Sequence, residues 1–249
     1  MNIALTNKHK NSHFANQTLQ WLDLDSEENW QAHMQNPEQR QHLEKYGFDR
    51  PESVSYRMNN HGFRCDDFDN RPGFIALGCS FTCGIGLPAD QVWPSMVGQV
   101  TGLVPWNLGI GAAGLDTAFR LLYHYIDVLD PKFVMLLIPD RDRFEIHHLG
   151  TPRLVMHSTK HPGPEIEIIK KFYFSDEQNN YVNHAKNMLA ITQLCQSRQV
   201  KLIAKPLNPT LIGFYPPTEK WPASRDLRHV GYREHQRCAD LFLEELNQN

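Results

Sequence analysis

The sequence predicts an α/β protein in which a parallel sheet carries helices on both faces. From residue 74 onwards, short apolar runs alternate with stretches of helical period, which is the pattern of parallel strands joined by crossover helices. Residues 133–138 (FVMLLI) are the most apolar of these runs and have the length of a strand that is buried on both faces. The 249 residues suffice for one such core with extensions. We expect one α/β domain over residues 71–249, preceded by an extension over residues 1–70.

The extension is polar and has no long apolar run. Asp25 and Glu28 have the spacing of a helix cap, and the helix they begin is expected to run towards Gly47 with a break at Pro37. Residues 56–64 (YRMNNHGFR) predict two short extended pieces around an Asn/Gly turn, which form a hairpin that leads into the core.

The elements of the core follow one another along the chain. Strands are predicted at 74–77, 104–108, 133–138 and 200–204, and helices at 91–101, 114–129, 181–196 and from about 230 to 246. Residues 144–176 lack the period of a core element and are expected to be an insertion. Residues 206–225 contain five prolines beside aromatic side chains and predict a stiff loop.

Composition argues against several classes of function. Lys and Arg number 25 against 28 Asp and Glu, the formal net charge is -3 and the two signs are interspersed, so nothing favours nucleic acid or an anionic membrane as a partner. The apolar runs are too short to span a bilayer, and the first residues (MNIALTNK) lack the apolar centre of a signal peptide. Five cysteines at irregular spacing do not predict a disulfide framework. We expect a cytoplasmic protein, and the oligomeric state stays open.

Ser80 is the first candidate for a catalytic nucleophile. It follows the strand at 74–77 after a glycine, and ligands of open α/β sheets bind at the carboxyl ends of the strands. A serine in this place can equally be a helix cap. Asp226 and His229 are three residues apart at a junction between loop and helix, so they can form the pair of carboxylate and imidazole that activates a serine. A surface histidine at a helix start is the alternative for His229.

Three segments, taken in order, resemble the first, second and last blocks of the SGNH (GDSL) hydrolase family. They are residues 78–82 (GCSFT), 107–114 (NLGIGAAG) and 226–229 (DLRH), and residues 56–64 are similar to a Tyr-x-x-Asn-x-x-Gly-x-Arg lead-in found in some members. The resemblance covers about residues 73–114 and 200–247. It implies a three-layer α/β/α, flavodoxin-like sandwich and the hydrolysis of a small-molecule or carbohydrate ester through an acyl-enzyme, without metal or cofactor. By position it makes Ser80 the nucleophile, His229 the general base and Asp226 its orienting carboxylate.

The resemblance also implies an oxyanion hole, in which this chain departs from the family. Two donors would be the backbone N–H groups of Ser80 and of Ala112, with Gly111 adjacent. Alanine stands at Ala112 where the family has glycine, which leaves the donor intact if φ is negative there. Cys79 replaces an aspartate that takes no part in the chemistry. The Cys79 thiol is a less favoured nucleophile than Ser80, because neighbouring side chains on an extended segment point apart.

The third donor of the oxyanion hole has no counterpart in the sequence. The family takes it from an asparagine, and the matching position falls near Asp140, whose carboxylate cannot donate. We expect Arg141 or Arg143 to donate in its place. Loss of the donor would lower the rate by about 10²- to 10³-fold. A catalytically weak or inactive chain that keeps the fold and binds a ligand or acts as a scaffold is therefore the alternative function.

Three further patterns in the sequence have two interpretations each. Residues 109–114 match the dinucleotide motif G-x-G-x-x-G, but no acidic residue follows at the expected distance, which favours a tight turn. The pair His147 and His148 has no spacing known for metal ligands, so we expect no metal site. Tyr215 and Trp221 lie upstream of Asp226 and are expected to line a substrate pocket, although they could instead cover the edge of the core.

Overall fold

The computed structural model describes residues 5–148, 150–157, 163–207 and 220–248. The strands in these ranges are β1 (Thr18–Leu19), β2 (Tyr56–Arg57), β3 (Gly73–Leu77), β4 (Val104–Asn107), β5 (Phe133–Ile138), β6 (Arg143–His148), β7 (Thr151–Met156) and β8 (Lys201–Pro206). The α-helices are α1 (Glu27–Gln35), α2 (Pro37–Tyr46), α3 (Ser80–Cys83), α4 (Trp93–Thr101), α5 (Leu115–Leu129), α6 (Pro164–Tyr173), α7 (Glu177–Ser197) and α8 (Tyr232–Asn247).

A four-stranded parallel sheet forms the centre of the molecule, in the order β4-β3-β5-β8. Its register pairs Ile75 of β3 with Trp106 on one side and with Val134 on the other. The chain leaves β3 between two neighbouring strands, so the residues after β3 emerge from the interior of the sheet. Strand order and parallel pairing confirm the α/β fold that the sequence predicts.

Helices cover both faces of this sheet. Alternate residues of a strand point to opposite faces. Accordingly, Phe74 and Ala76 belong to an apolar cluster with α4 and α8, whereas Ile75 and Leu77 belong to a second cluster with α5 and α7. The two clusters and the sheet between them make the three-layer α/β/α sandwich that was expected.

The segment expected to be an insertion contains regular structure. Strands β6 and β7 form an antiparallel two-stranded sheet that is separate from the central one, and α6 follows. Strand β6 begins at Arg143, so the charged loop at the end of β5 is short.

The extension differs from its prediction at two places. Helix α1 is capped by Ser26, whose Oγ accepts the N–H of Asn29 at 3.2 Å, and not by Asp25, which is buried. Strand β2 pairs with β1 and not with residues 63–64, so the predicted hairpin at 56–64 is wrong in its pairing. The turn itself exists, because Asn59 Oδ1 accepts the N–H groups of two residues that follow it at 2.9 Å. The boundary at residue 70 stays a prediction.

A third apolar cluster joins the extension to the segment that follows β3. It includes Leu43 and Tyr56 of the extension, Cys83 and Ile85 after β3, and Leu227 near the C-terminal end of the chain. Across the described ranges, no helix has both the length and the apolar surface that a membrane crossing requires.

Candidate active site

Ser80 is the first residue of α3, directly beyond the end of β3. The turn between strand and helix depends on Gly78, which has a φ of 152°. A Cβ atom at this glycine would lie 2.2 Å from Thr82 Oγ1, so a larger residue would clash with the helix. Ser80 is half-buried, whereas the neighbouring Cys79 is fully buried. Of the two side chains, only the serine is partly accessible to a substrate.

Asp226 and His229 form the carboxylate–imidazole pair that the sequence predicts. Asp226 Oδ2 lies 2.5 Å from His229 Nδ1, and both side chains are buried. Oδ1 of the same carboxylate accepts the backbone N–H of His229 at 3.1 Å, the N–H of Arg228 at 3.2 Å and the hydroxyl of Ser224 at 2.9 Å. The contact is local, because the two residues are three positions apart in the loop that precedes α8.

The charge of Asp226 follows from these contacts. Burial raises the pKa of the Asp226 carboxyl, but the hydrogen bonds and charge of His229 and the N–H of Arg228 outweigh burial and hold the pKa below its ordinary value. Asp226 is therefore ionised at neutral pH. An ionised carboxylate at Nδ1 keeps the proton on that nitrogen and leaves Nε2 of His229 as the basic one.

The structure brings this pair to the Ser80 turn. The imidazole ring of His229 packs against the ring of Phe81, the residue after Ser80, with 5.1 Å between the ring centroids. In the part of the chain that the structure describes, Ser80 Oγ makes no hydrogen bond with His229. Catalytic hydrogen bonds are often long in ligand-free enzymes and form when substrate binds.

The second block forms a tight turn beside Ser80. The N–H of Ile110 donates to the carbonyl of Gly78 at 3.2 Å, which connects this turn to the one before α3. Among the described residues, the backbone N–H groups of Ser80, Gly111 and Ala112 have no acceptor. Each of the three is therefore available as a donor to a bound oxyanion.

The backbone conformation of Ala112 differs from the negative φ that was required in the sequence analysis. Its φ is 67°, so the condition of a negative φ is not met and the alanine occupies the left-handed region. This conformation costs an L-residue about 1–2 kcal/mol relative to a right-handed one. The N–H of Ala112 has no acceptor among the described residues, so the donor is present in spite of the positive φ.

Arg143 is one of the two residues that the sequence suggests as the third donor. Its guanidinium Nη2 is 3.3 Å from Asp140 Oδ2, and its side chain is 11% exposed. The nitrogens Nε and Nη1 are buried and have no hydrogen-bond partner among the described residues, and Nε forms an ion pair with Asp142 Oδ1 at 3.8 Å. Burial lowers the pKa of Arg143, but the adjacent Cys79 and Asp140 outweigh burial and raise the pKa. A charged group with unused donors thus lies next to Cys79, one residue from Ser80.

The other candidate residues lie elsewhere. The Arg141 guanidinium stacks on Tyr181 of α7, 4.2 Å from the ring centroid, which favours Arg143 as the donor. Trp221 packs edge-on against His42 of α2, with 5.9 Å between centroids. That position fits the alternative in which this tryptophan covers the edge of the core. Tyr215 lies outside the described residues.

Sequence reasoning missed a buried ion pair beside the Asp226 loop. Arg225 is 0% exposed and Asp25 is 1% exposed, and Arg225 Nη2 lies 2.6 Å from Asp25 Oδ2. The guanidinium also donates to the carbonyls of Val54 at 3.0 Å and Gln20 at 2.6 Å. Nothing in the sequence pairs residues 200 positions apart, and the cap-like spacing of Asp25 indicated a different role.

The lead-in motif at 56–64 also acts on the site. Tyr56 donates its hydroxyl proton to Asp25 and accepts the N–H of Gly86 at 2.8 Å. Arg64 donates to the carbonyls of Cys83 at 3.2 Å and Leu87 at 2.7 Å. The motif therefore fixes the segment that continues from Ser80.

Two alternatives from the sequence can be compared with the structure. The carboxylate of Asp23 lies where a Cβ of Gly111 would be, at 1.9 Å. The carboxylate therefore fills the space through which a pyrophosphate would approach this glycine, so the glycine motif is better explained as a tight turn. No group of three or more His, Cys, Asp or Glu side chains that could hold a metal ion occurs in the described ranges.

Comparison with solved structures finds similarity to esterases. The psychrotrophic esterase EstA from Pseudoalteromonas sp. matches with a TM-score of 0.40 and 13% identity, over 72% of this chain and 98% of that one. A putative lipolytic protein of the G-D-S-L family from Desulfitobacterium hafniense DCB-2 matches with a TM-score of 0.35 and 13% identity, over 70% of this chain and 98% of that one. A carbohydrate esterase matches with a TM-score of 0.38 and 12% identity, over 73% of this chain and 70% of that one.

The G-D-S-L family named in the second match is the one that the sequence blocks resemble. No protein-family model and no curated protein matches the sequence. Because all three TM-scores are below 0.5, we infer the function from the geometry of this chain's own site.

Proposed function

We propose that this chain is a carboxylic ester hydrolase with Ser80 as nucleophile, His229 as general base and acid, and Asp226 as the orienting carboxylate. The observation that carries the proposal is the placement of an ionised Asp226–His229 pair against the Ser80 turn. A serine hydroxyl needs such a pair, because it is a weak nucleophile until a base accepts its proton. The ordered resemblance to the SGNH hydrolases supports the same assignment.

In the first half of the reaction, His229 Nε2 accepts the proton of Ser80 Oγ while Oγ attacks the carbonyl carbon of the ester. The carbonyl oxygen becomes an oxyanion, which the N–H groups of Ser80 and Ala112 and the guanidinium of Arg143 stabilise. The C–O bond to the alcohol then breaks, and His229 gives its proton to the leaving oxygen. The acyl group remains on Ser80.

In the second half, His229 accepts a proton from a water molecule whose oxygen attacks the acyl carbon. The bond between that carbon and Ser80 Oγ breaks, the carboxylic acid leaves and His229 returns the proton to Ser80. Asp226 stays ionised throughout and stabilises the imidazolium. The residues named here account for every proton transfer.

The test is labelling with a fluorophosphonate probe, with the modified peptide identified by mass spectrometry. We expect the label on Ser80, and we expect Ser80→Ala and His229→Ala to abolish it and to lower kcat for the hydrolysis of p-nitrophenyl acetate on the order of 10⁶-fold. Ser175→Ala is the matched control, because this exposed serine only donates to a carbonyl in its own helix end. Hydrolysis that persists in Ser80→Ala would refute the assignment.

A non-catalytic ligand-binding protein is the second candidate. Two observations favour it: Ser80 and His229 are not hydrogen-bonded to each other in the described part of the chain, and the third-block asparagine is missing. In this case the folded protein would bind esters without turnover and Ser80 would not react with the probe. The labelling experiment therefore separates the two functions.

A further inference from the structure

Helix α6 presents a stripe of exposed apolar side chains. The exposed fractions are 57% for Ile168, 42% for Ile169 and 75% for Phe172. Residues three and four positions apart share one face of a helix, so these three side chains form a single stripe that begins at Glu165. None of the ten residues of α6 is buried. The stripe therefore adds little to the core of this chain, and contiguous exposed apolar side chains mark interaction sites.

The charges of α6 are separated along the helix. Glu165 and Glu167 lie in the first turn, and Lys170 and Lys171 lie in the last turn. Glu167 and Lys170 form a pair within the helix, at 3.8 Å. Glu165 and Lys171 are exposed at opposite ends of the apolar stripe.

This order of charges makes an antiparallel pair of α6 helices complementary to itself. The centre of the stripe lies between Ile168 and Ile169. At 1.5 Å per residue, Glu165 is about 5 Å from this centre along the helix axis and Lys171 is about 4 Å from it on the other side. With a two-fold axis at the centre, Glu165 of each copy meets Lys171 of the other, and the isoleucines meet each other. A parallel pair would instead bring like charges together.

The same charges favour a second copy of the chain over a lipid surface. Helix α6 has two glutamates and two lysines, so it has no net charge that would attract anionic lipids. Helices that lie in a membrane interface are typically rich in Lys and Arg on their polar face. A second copy, in contrast, offers an apolar stripe and an opposite charge for each end of the helix.

We propose that α6 is an interface between two copies of this chain, which pack antiparallel about a two-fold axis between Ile168 and Ile169. A helix of ten residues is about 15 Å long, so its face is smaller than the about 800 Å² per partner of a standard interface. The dimer is therefore weak and forms at micromolar concentrations or above. The inference goes beyond the proposed function, because no residue of the candidate active site belongs to α6.

The first experiment measures the association state by sedimentation velocity between about 1 µM and about 1 mM protein. We expect a reversible equilibrium of monomer and dimer, and we expect Phe172→Ser to raise the dissociation constant about tenfold or more. Val100→Ser is the matched control, because Val100 is an apolar residue of α4 that is 68% exposed. A monomer at every concentration, or a dissociation constant that Phe172→Ser leaves unchanged, would overturn the interface.

The second experiment tests the antiparallel arrangement by charge reversal. Glu165→Lys brings two lysines together at both ends of the helix pair, and Lys171→Glu brings two glutamates together there. Each variant alone is expected to dimerise about tenfold more weakly than the parent protein. An equimolar mixture of the two variants restores opposite charges at both ends, so it should dimerise as tightly as the parent protein. Recovery in the mixture is decisive, because a helix that is only destabilised by its reversed charge would not recover. A mixture that stays as weak as the single variants would refute the arrangement.

Other occupants of the stripe give different results. If the protein stays monomeric and Phe172→Ser lowers its stability in urea, another segment of the same chain covers the stripe and the proposal is wrong. If the monomer binds phosphatidylcholine vesicles through Phe172, the stripe is a lipid-binding surface and the proposal is again wrong.

The interface and the hydrolase proposal can fail separately. Ser80→Ala is expected to dimerise as the parent protein does, so association is measured without catalysis. If the fluorophosphonate probe labels Ser80 but the protein is a monomer, the hydrolase stands and the interface is wrong. If the protein dimerises through α6 but Ser80 never reacts, the interface stands and the hydrolase proposal is wrong.

Discussion

Replacing Arg143 by methionine is expected to lower kcat for ester hydrolysis by about 10²- to 10³-fold, which is the usual effect of losing one oxyanion donor. Methionine retains an unbranched chain of similar length but has no N–H group. Two nitrogens of the Arg143 guanidinium are buried without a hydrogen-bond acceptor among the described residues, so losing these two donors breaks no hydrogen bond of the folded protein. The expected loss equals about 2.7–4 kcal/mol of transition-state stabilisation.

The same geometry predicts little change in stability. The hydrogen bond from Arg143 to Asp140 is long, at 3.3 Å, and the Asp140 side chain is 45% exposed. Water can therefore replace the arginine as the partner of Asp140, so losing this ion pair costs at most about 1 kcal/mol. Burying the charge of Arg143 costs desolvation free energy in the parent protein, and the methionine variant does not have this cost. We expect Arg143→Met to unfold in urea within about 1 kcal/mol of the parent protein.

Arg141→Met is the matched control, because it removes the same side chain two residues earlier. Arg141 stacks on Tyr181, a contact worth about 0.5–1 kcal/mol at an exposed site. The assay is kcat with p-nitrophenyl acetate, together with the rate of labelling by the fluorophosphonate probe. If Arg143→Met retains the kcat of Arg141→Met, the guanidinium does not stabilise the oxyanion and the reasoning from its unused donors is refuted.

Three further predictions concern stability. Arg225→Met leaves the Asp25 carboxylate buried without its cation and should lower the free energy of unfolding in urea by about 3–5 kcal/mol; a loss below about 1 kcal/mol would contradict the contribution of the pair. Ala112→Gly relieves the left-handed alanine and should raise the same quantity by up to about 1 kcal/mol, whereas a decrease would show that the φ of 67° is not strained. His235 accepts the N–H of Trp93 at 3.2 Å, and burial lowers its pKa to about 3. The unfolded chain therefore binds one more proton than the folded chain between about pH 6.5 and 3, so stability should fall by about 1.4 kcal/mol per pH unit from this residue as the pH decreases. NMR titration checks the cause, since a His235 ring that protonates near pH 6.5 would rule it out.

The strands of the central sheet could be predicted because their signal is local and strong. Both faces of β5 are buried, so its sequence is a continuous apolar run, and the predicted range 133–138 equals the observed strand. Helix α5 was predicted to within one residue at its start because its buried side chains repeat at helical spacing. The hairpin of β6 and β7 gave no such signal, because it pairs outside the sheet and few of its side chains are buried.

The candidate site also has features that the sequence predicts and features that it does not. Asp226 and His229 are three residues apart and contact each other, so their spacing in the sequence was enough to predict the contact. The φ of Ala112 and the unused donors of Arg143 depend on how distant segments pack, and no local pattern encodes them. Asp25 is the clearest example of a residue whose role the local sequence does not predict. An acidic residue before a helix predicts a cap, and only the position of Arg225 turns it into half of a buried ion pair.

The contacts around Gly86 explain why the extension belongs to the site. The N–H of Gly86 donates to the Tyr56 hydroxyl at 2.8 Å, and its carbonyl accepts the N–H of Arg225 at 2.9 Å. The extension, the segment after Ser80 and the loop that contains Asp226 therefore meet at one residue. The segment after Ser80 and the loop that contains Asp226 follow different strands, so the sheet alone does not fix the distance between them. The buried pair of Arg225 and Asp25 supplies that constraint at a cost in desolvation, and it connects the polar extension to the loop that contains Asp226.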